Sequence, residues 1–226
     1  MVFILVLLTF AGFIAYDVIR NHRLAEVTAG ESAPQQASAI RKTAGIGVRP
    51  GLAVPRGIYY HQGHTWAKLL NEETVEVGID DFAQKFIGEI EKVDIPKPGA
   101  RVKQGEPVIT LKRGQRTLKL VAPVSGRVVQ VNEHVEEDPD LINESPYEDG
   151  WVLKVKPTSL KENLRNLFSS DFASHWMKVL KHTFMNKYAN EYALAMQDGG
   201  DLAPGFGMEL SDEQWHEVTE EFFKNF

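Results

Sequence analysis

Four cations and one amide crowd a single predicted turn. Residues 105–126 read GEPVITLKRGQRTLKLVAPVSG, and within them Lys112, Arg113, Gln115, Arg116 and Lys119 surround Gly114. Arginine is always charged and cannot serve as a base, whereas a lysine amine can attack an activated carboxyl group. Gln115 can do neither, because the lone pair of an amide nitrogen is delocalised into its carbonyl. Such a cluster on a protruding turn would attract an acidic partner protein or an anionic ligand, and salt would weaken that attraction. It would equally serve only to keep a turn soluble. Both readings stand at this stage.

The remaining candidates are thinner. His61 and His64 lie close in sequence, but no further ligands follow at metal-site spacing, so no metal is expected. His64 reads as a surface or hydrogen-bonded histidine. No His/Asp/Ser trio can be argued from spacing, and no catalytic residue is assigned. Glu136, Glu137, Asp138, Asp140, Glu144, Glu148 and Asp149 read first as solvated surface and helix caps. The chain has no cysteine, which excludes disulfides, thiolate catalysis and Cys-ligated metals. None of its glycine strings matches a phosphate-binding loop.

Longer stretches are more specific. Tyr60-His61-Gln62-Gly63-His64-Thr65-Trp66, Val77-Gly78-Ile79-Asp80-Asp81-Phe82-Ala83-Gln84, Gly88-Glu89, Ala122-Pro123-Val124-Ser125-Gly126 and Asp138 to Tyr147 with Gly150-Trp151 occur in that order. Together they resemble the glycine cleavage system H-protein family over residues 57–157. The resemblance implies a lipoyl-carrier-type fold, a lipoyl arm on a lysine at a hairpin tip, and partner enzymes that share the carrier. It also places His64-Thr65-Trp66 near the lipoyl path. Counting back without a gap from Ala122-Pro123-Val124-Ser125-Gly126 puts Gln115 at the lysine position and Lys112 where an acidic residue is usual. Lys119 falls where an aspartate is frequent. The expectation is therefore an H-protein-like domain without a cofactor, acting as a non-catalytic, membrane-tethered adaptor. The interaction residues would be Lys112, Arg113, Gln115, Arg116, Lys119 and His64. The alternative is a lipoyl carrier that shuttles an aminomethyl or acyl group, its arm mounted on Lys112 or Lys119.

The elements that must position these residues follow from patterning. Apolar alternation over 107–111 and 117–122 about the Gly114 turn predicts a hairpin. A second hairpin is predicted around Asn71-Glu72-Glu73, and a short helix capped by Asp80 over Asp81 to Phe86, ending at Gly88. Asp138 is expected to cap another short helix, and Trp151 to Val155 to form a strand. The fold class is mainly β with short helices, a barrel-sandwich hybrid of the lipoyl/biotinyl carrier type.

Residues 158–226 exceed that domain and predict a helical extension. Phe172, Trp176, Leu180, Phe184, Tyr188 and Tyr192 recur every fourth residue, and Ser211-Asp212-Glu213-Gln214 has capping-box form ahead of Trp215, Val218 and Phe222. These helices could pack on the domain, on each other, or against a partner.

Residues 2–16 carry no charge, Asp17 interrupts, and Val18-Ile19 continue the run, so a span requires Asp17 to lie near the interface. Eighteen residues span about 27 Å as a helix, enough for a bilayer core. The expected organisation is a transmembrane anchor in residues 1–23, a tether in 24–56, the carrier-like domain in 57–157 and the extension in 158–226. Arg20 and Arg23 follow the apolar run, which predicts a single-pass protein with its folded part, and its protein partner, in the cytoplasm. A net charge of −6 over 226 residues argues against a nucleic-acid partner. The oligomeric state is left open.

Overall fold

Period-two alternation does most of the building. The chain divides into the units Met1–Gly47 and Val48–Phe226, and the computed structural model describes residues 51–188, 196–197 and 201–223. Short β1 (Tyr59–Tyr60) pairs with β2 (Thr65–Asn71), which turns into β3 (Thr74–Ile79) through the expected hairpin, with a register irregularity between Leu69 and Asn71. Asp80 caps helix α1 (Asp81–Ile87): its Oδ1 accepts from the backbone N–H groups of Phe82 and Ala83, and Gly88 closes the helix at φ 70°. β4 (Lys92–Asp94), β5 (Arg101–Val102), β6 (Pro107–Arg113), β7 (Arg116–Val121) and β8 (Gly126–Val131) follow. The short helices α2 (Glu133–Glu137) and α3 (Leu141–Glu144) lead to β9 (Leu153–Pro157).

Two antiparallel sheets result, one ordered β1-β2-β3-β9-β8-β5 and one ordered β4-β6-β7. Their apolar faces share a core that includes Val75, Val77, Ile109, Leu111, Leu118, Leu120 and Val155. A mainly β body with short helices is as expected. Trp66 sits beside it, fully buried, with its indole N–H donating to the carbonyls of Ile79 and Pro146 at 3.1 and 3.0 Å. Asp138 does not start a helix. The chain forms an unanticipated turn of helix at α2, and the Asp138 N–H closes it onto the His134 carbonyl at 2.7 Å. α3 begins only after Asp140, which makes no side-chain cap.

The extension is helical as expected: α4 (Leu160–Arg165), α5 (Ser170–Tyr188), the strand pair β10 (Met196–Gln197) and β11 (Asp201–Leu202), a 3-10 turn over Phe206–Glu209, and α6 (Asp212–Phe223). The four-residue stripe on α5 is only half right. Leu180, Phe184 and Tyr188 are buried, whereas Phe172 is 55% exposed and the buried face continues through Met177 and Ala173. Steps of four overshoot a 3.6-residue turn, so Phe172 lies about 160° around the helix from Tyr188. The capping box at α6 forms in both directions: Ser211 Oγ accepts from the Gln214 N–H at 3.3 Å and Gln214 Oε1 accepts from the Ser211 N–H at 3.0 Å. Tyr192 lies outside the described residues.

The end of the expected tether clips onto α1. The Ala53 N–H donates to Asp81 Oδ2 at 2.8 Å, and its carbonyl accepts from Tyr147 at 2.7 Å. The membrane assignment is corrected. Among the described residues no helix is long and apolar enough to cross a membrane, and residues 2–19, on which the anchor rested, lie outside the described residues.

Candidate functional site

The β6–β7 hairpin closes on a two-residue turn, Gly114-Gln115, with Arg113 opposite Arg116. Gly114 adopts φ 54°, a conformation that strains any residue with a Cβ. Gln115 stands exposed at the tip. Strand alternation then sorts the four cations into two pairs. Ile109, Leu111 and Arg113 share one face of β6, and Leu120, Leu118 and Arg116 share the matching face of β7. Lys112 and Lys119 point to the other face.

The arginine face is engaged by the chain itself. Arg116 Nη2 donates to the Leu210 carbonyl at 2.7 Å and Nη1 to Asp212 Oδ1 at 2.8 Å, while its guanidinium lies 5.0 Å from the Trp215 ring centroid. Arg113 Nη1 donates to the Ile87 carbonyl at 2.7 Å. It does so where Gly88 and Gly205 bring two backbones together: a Cβ on Gly88 would stand 2.7 Å from Gly205 Cα. The lysine face is open. Lys112 Nζ meets Asp94 Oδ2 at 2.6 Å, and the hydrogen bonds from Lys112 and then Lys92 hold the Asp94 carboxyl below its usual range. Lys119 is exposed and makes no ion pair among the described residues. The Gly114 N–H donates to Glu91 Oε2 at 3.0 Å, which anchors the tip.

His64 lies apart from the hairpin tip and is fully buried. Its ring is stacked on Phe82 at 4.7 Å and on Trp176 of α5 at 5.1 Å, and Phe223 of α6 is 4.9 Å away. Asp80, whose Oδ1 caps α1, offers Oδ2 to His64 Nδ1 at 2.8 Å. A carboxylate accepts, so Nδ1 donates to it and the other ring nitrogen is left to find a partner of its own. That nitrogen, Nε2, is buried without a partner. The backbone of His64 has φ 61°, a region costly for any residue but glycine. His61 accepts from the Gly63 N–H through Nδ1 at 2.9 Å, and burial, then the neighbouring His64, lower its pKa to about 4.

The structure thus joins Lys112, Arg113, Gln115, Arg116 and Lys119 in one hairpin but separates their directions, and it removes His64 from the surface. Reading the sequence missed Asp212, Trp215 and the Leu210 carbonyl as partners of Arg116, since they come from about ninety residues further on. The His64–Asp80 pair also went unseen. Its only sequence signal was that Asp80 was already a predicted cap with one oxygen to spare. Among the described residues no group of three or more His, Asp or Glu is placed to hold a metal ion.

The lipoyl group that the resemblance implies needs a lysine amine at the hairpin tip. The tip residue is Gln115, whose amide is not an acceptor for acylation, and no lysine occupies the two-residue turn. The tip does not fit that attachment.

Comparison with known proteins covers the same body. The family model described as "Glycine cleavage H-protein" matches residues 58–181. The chain is 39% identical over 127 residues to a probable glycine cleavage system H protein of Thermococcus kodakarensis, covering 56% of this chain and 94% of that one. It is 40% identical over 127 residues to the probable H protein of Pyrococcus abyssi, with the same coverage. It is 37% identical over 129 residues to glycine cleavage system H protein 2 of Aquifex aeolicus, covering 57% of this chain and 80% of that one. A crystal structure of an H protein from Mycobacterium marinum aligns with TM-score 0.49 and 29% identity, over 54% of this chain and 98% of that one. These names agree with the H-protein resemblance and give no support to a membrane adaptor. With the span result they overturn the expectation of a single-pass membrane protein facing the cytoplasm. Helix α6 lies beyond the matched residues.

Proposed function

Because the chain belongs to the glycine cleavage H-protein family, we propose that it works as an H-protein-type docking body for partner proteins and carries no lipoyl group at its hairpin tip. It performs no chemistry of its own. The observation that carries this reading is Gln115, exposed in the two-residue turn between β6 and β7. An amide there cannot accept the acyl group, whatever the surrounding fold. The β body and the exposed turn remain available to proteins that recognise H-protein surfaces.

The relatives' names support a second reading, a loaded carrier, and one residue favours it. Lys119 presents an exposed amine four positions from the tip, whereas the Lys112 amine is held by Asp94. Under that reading Lys119 holds the group, whose dithiolane would supply the redox and transfer chemistry. Intact-mass measurement and peptide mapping of protein purified from its native host, fed with lipoate, decide between the two. Unmodified chain is the expected result. A lipoyl mass on Lys119 would replace the first reading with the second.

A further inference from the structure

We propose that the groove floored by Phe82 and Phe86 and edged by Arg116 is a helix-docking site for a partner protein, and that α6 is its resident occupant. The incoming segment is an acidic amphipathic helix with aromatic anchors that takes the place of α6. This rests on the docking reading above and specifies its surface and its partner's chemistry.

Three observations carry it. First, the floor and the edge lie inside the family match and the occupant lies outside it. A helix outside the family match therefore seats on the matched body. Second, α6 has the make-up of a portable ligand. It carries its own capping box at Ser211 and Gln214, an acidic first turn set against Arg116, and a buried face of Trp215, Val218, Phe222 and Phe223. Trp215 stacks on Phe86 at 4.8 Å while lying 5.0 Å from the Arg116 guanidinium. The charge and the apolar pattern of the groove are thus read directly from what fills it. Third, the occupant fits imperfectly. Covering the floor leaves His64 Nε2 buried and unpaired, on a residue held at φ 61°. Of the three rings around His64, only Phe223 belongs to α6, and an incoming helix with a hydroxyl or amide side chain near that position would give Nε2 a partner. A replacement therefore begins with an advantage over α6.

The test uses the full chain and a fluorescent peptide of residues 210–223. Val218→Asp places a charge on the buried face of α6 and leaves every groove residue intact. We expect the peptide to bind this variant at least tenfold tighter than the wild-type chain, whose groove is filled. Adding Arg116→Glu to the variant should weaken binding at least tenfold, and a peptide carrying Asp212→Arg should recover a measurable part of that loss. Equal binding to wild type and Val218→Asp, or indifference to the charge reversal, overturns the proposal. Should Val218→Asp fail to fold, hydrogen exchange on the wild-type chain decides. Amides of α6 exchanging at least tenfold faster than those of the β6–β7 hairpin support an exchangeable occupant, and uniform exchange refutes one. A lipoyl group found by mass would end the reading of an unloaded tip and leave these binding results untouched, so the two failures can be told apart.

Discussion

Arg113 sits one residue from Lys112 and Arg116 three from Lys119, and all four carry the same charge, yet the two pairs have different fates. The arginines extend the apolar face of their strands and are drawn into contacts with residues 87, 210, 212 and 215. The lysines take the opposite face, where Asp94 meets one and solvent the other. Strand alternation makes this division, and the chemistry of each head group suits it. A planar guanidinium can satisfy a carbonyl, a carboxylate and an aromatic ring at once, whereas an ammonium stays better hydrated. A basic cluster in sequence is therefore no measure of a basic surface. Half of this one is spent inside the protein, Arg113 on the Ile87 carbonyl and Arg116 on the chain's own tail.

The comparison can be broken most forcefully from beneath the arginine face. Phe86→Ala removes the ring that meets Trp215, Phe206 and Phe223, and we expect a loss of about 3–5 kcal/mol in chemical denaturation, typical of a large buried aromatic. A loss near zero would mean that α6 is not packed as described.

Acid should act on the same covered side. His61, with its pKa lowered to about 4 by burial, stays neutral in the folded chain while the unfolded chain takes up a proton near 6.5. A depressed pKa of this kind contributes stability that is complete above pH 6.5 and lost as pH falls toward 4, on the order of 2 kcal/mol. His61→Asn keeps an acceptor for the Gly63 N–H and should flatten that part of the stability profile. An unchanged slope would count against the assignment.

Arg116→Ala is smaller, about 1–2 kcal/mol, from one buried-edge hydrogen bond and one cation–ring contact, since Asp212 is largely solvated. Its signature is faster hydrogen exchange confined to α6. Lys112→Ala completes the series. Both it and Asp94 are open to water, so no measurable change in the denaturation midpoint is expected. If Lys112→Ala proved as costly as Arg116→Ala, the division of the hairpin into two faces would be wrong.

Much of the body was legible beforehand because its signals are local. The Gly114 turn, the Asp80 cap, the hairpin at 71–73 and the Ser211 capping box each depend on residues within four positions of one another, and each formed. The misses share a different cause. Asp138 was read as a cap without the α2 turn before it, and Phe172 was placed on a buried stripe by counting in fours on a helix that turns in 3.6. His64 was expected at the surface or in a hydrogen bond. It makes the bond, but α5 and α6, which bury it, arrive from more than a hundred residues away.

What the string of residues determined by itself is chemical: no amine stands at the tip of the β6–β7 turn, and an amide remains an amide in any fold. It determined the sheet pattern too, since a period of two selects a face without reference to distant parts. Only the tertiary structure decided which cations face solvent and which are bound, and that the Phe82–Phe86 groove is filled. Those outcomes depend on which distant carbonyls, rings and carboxylates come within a few ångströms, and packing, not local propensity, chooses those neighbours.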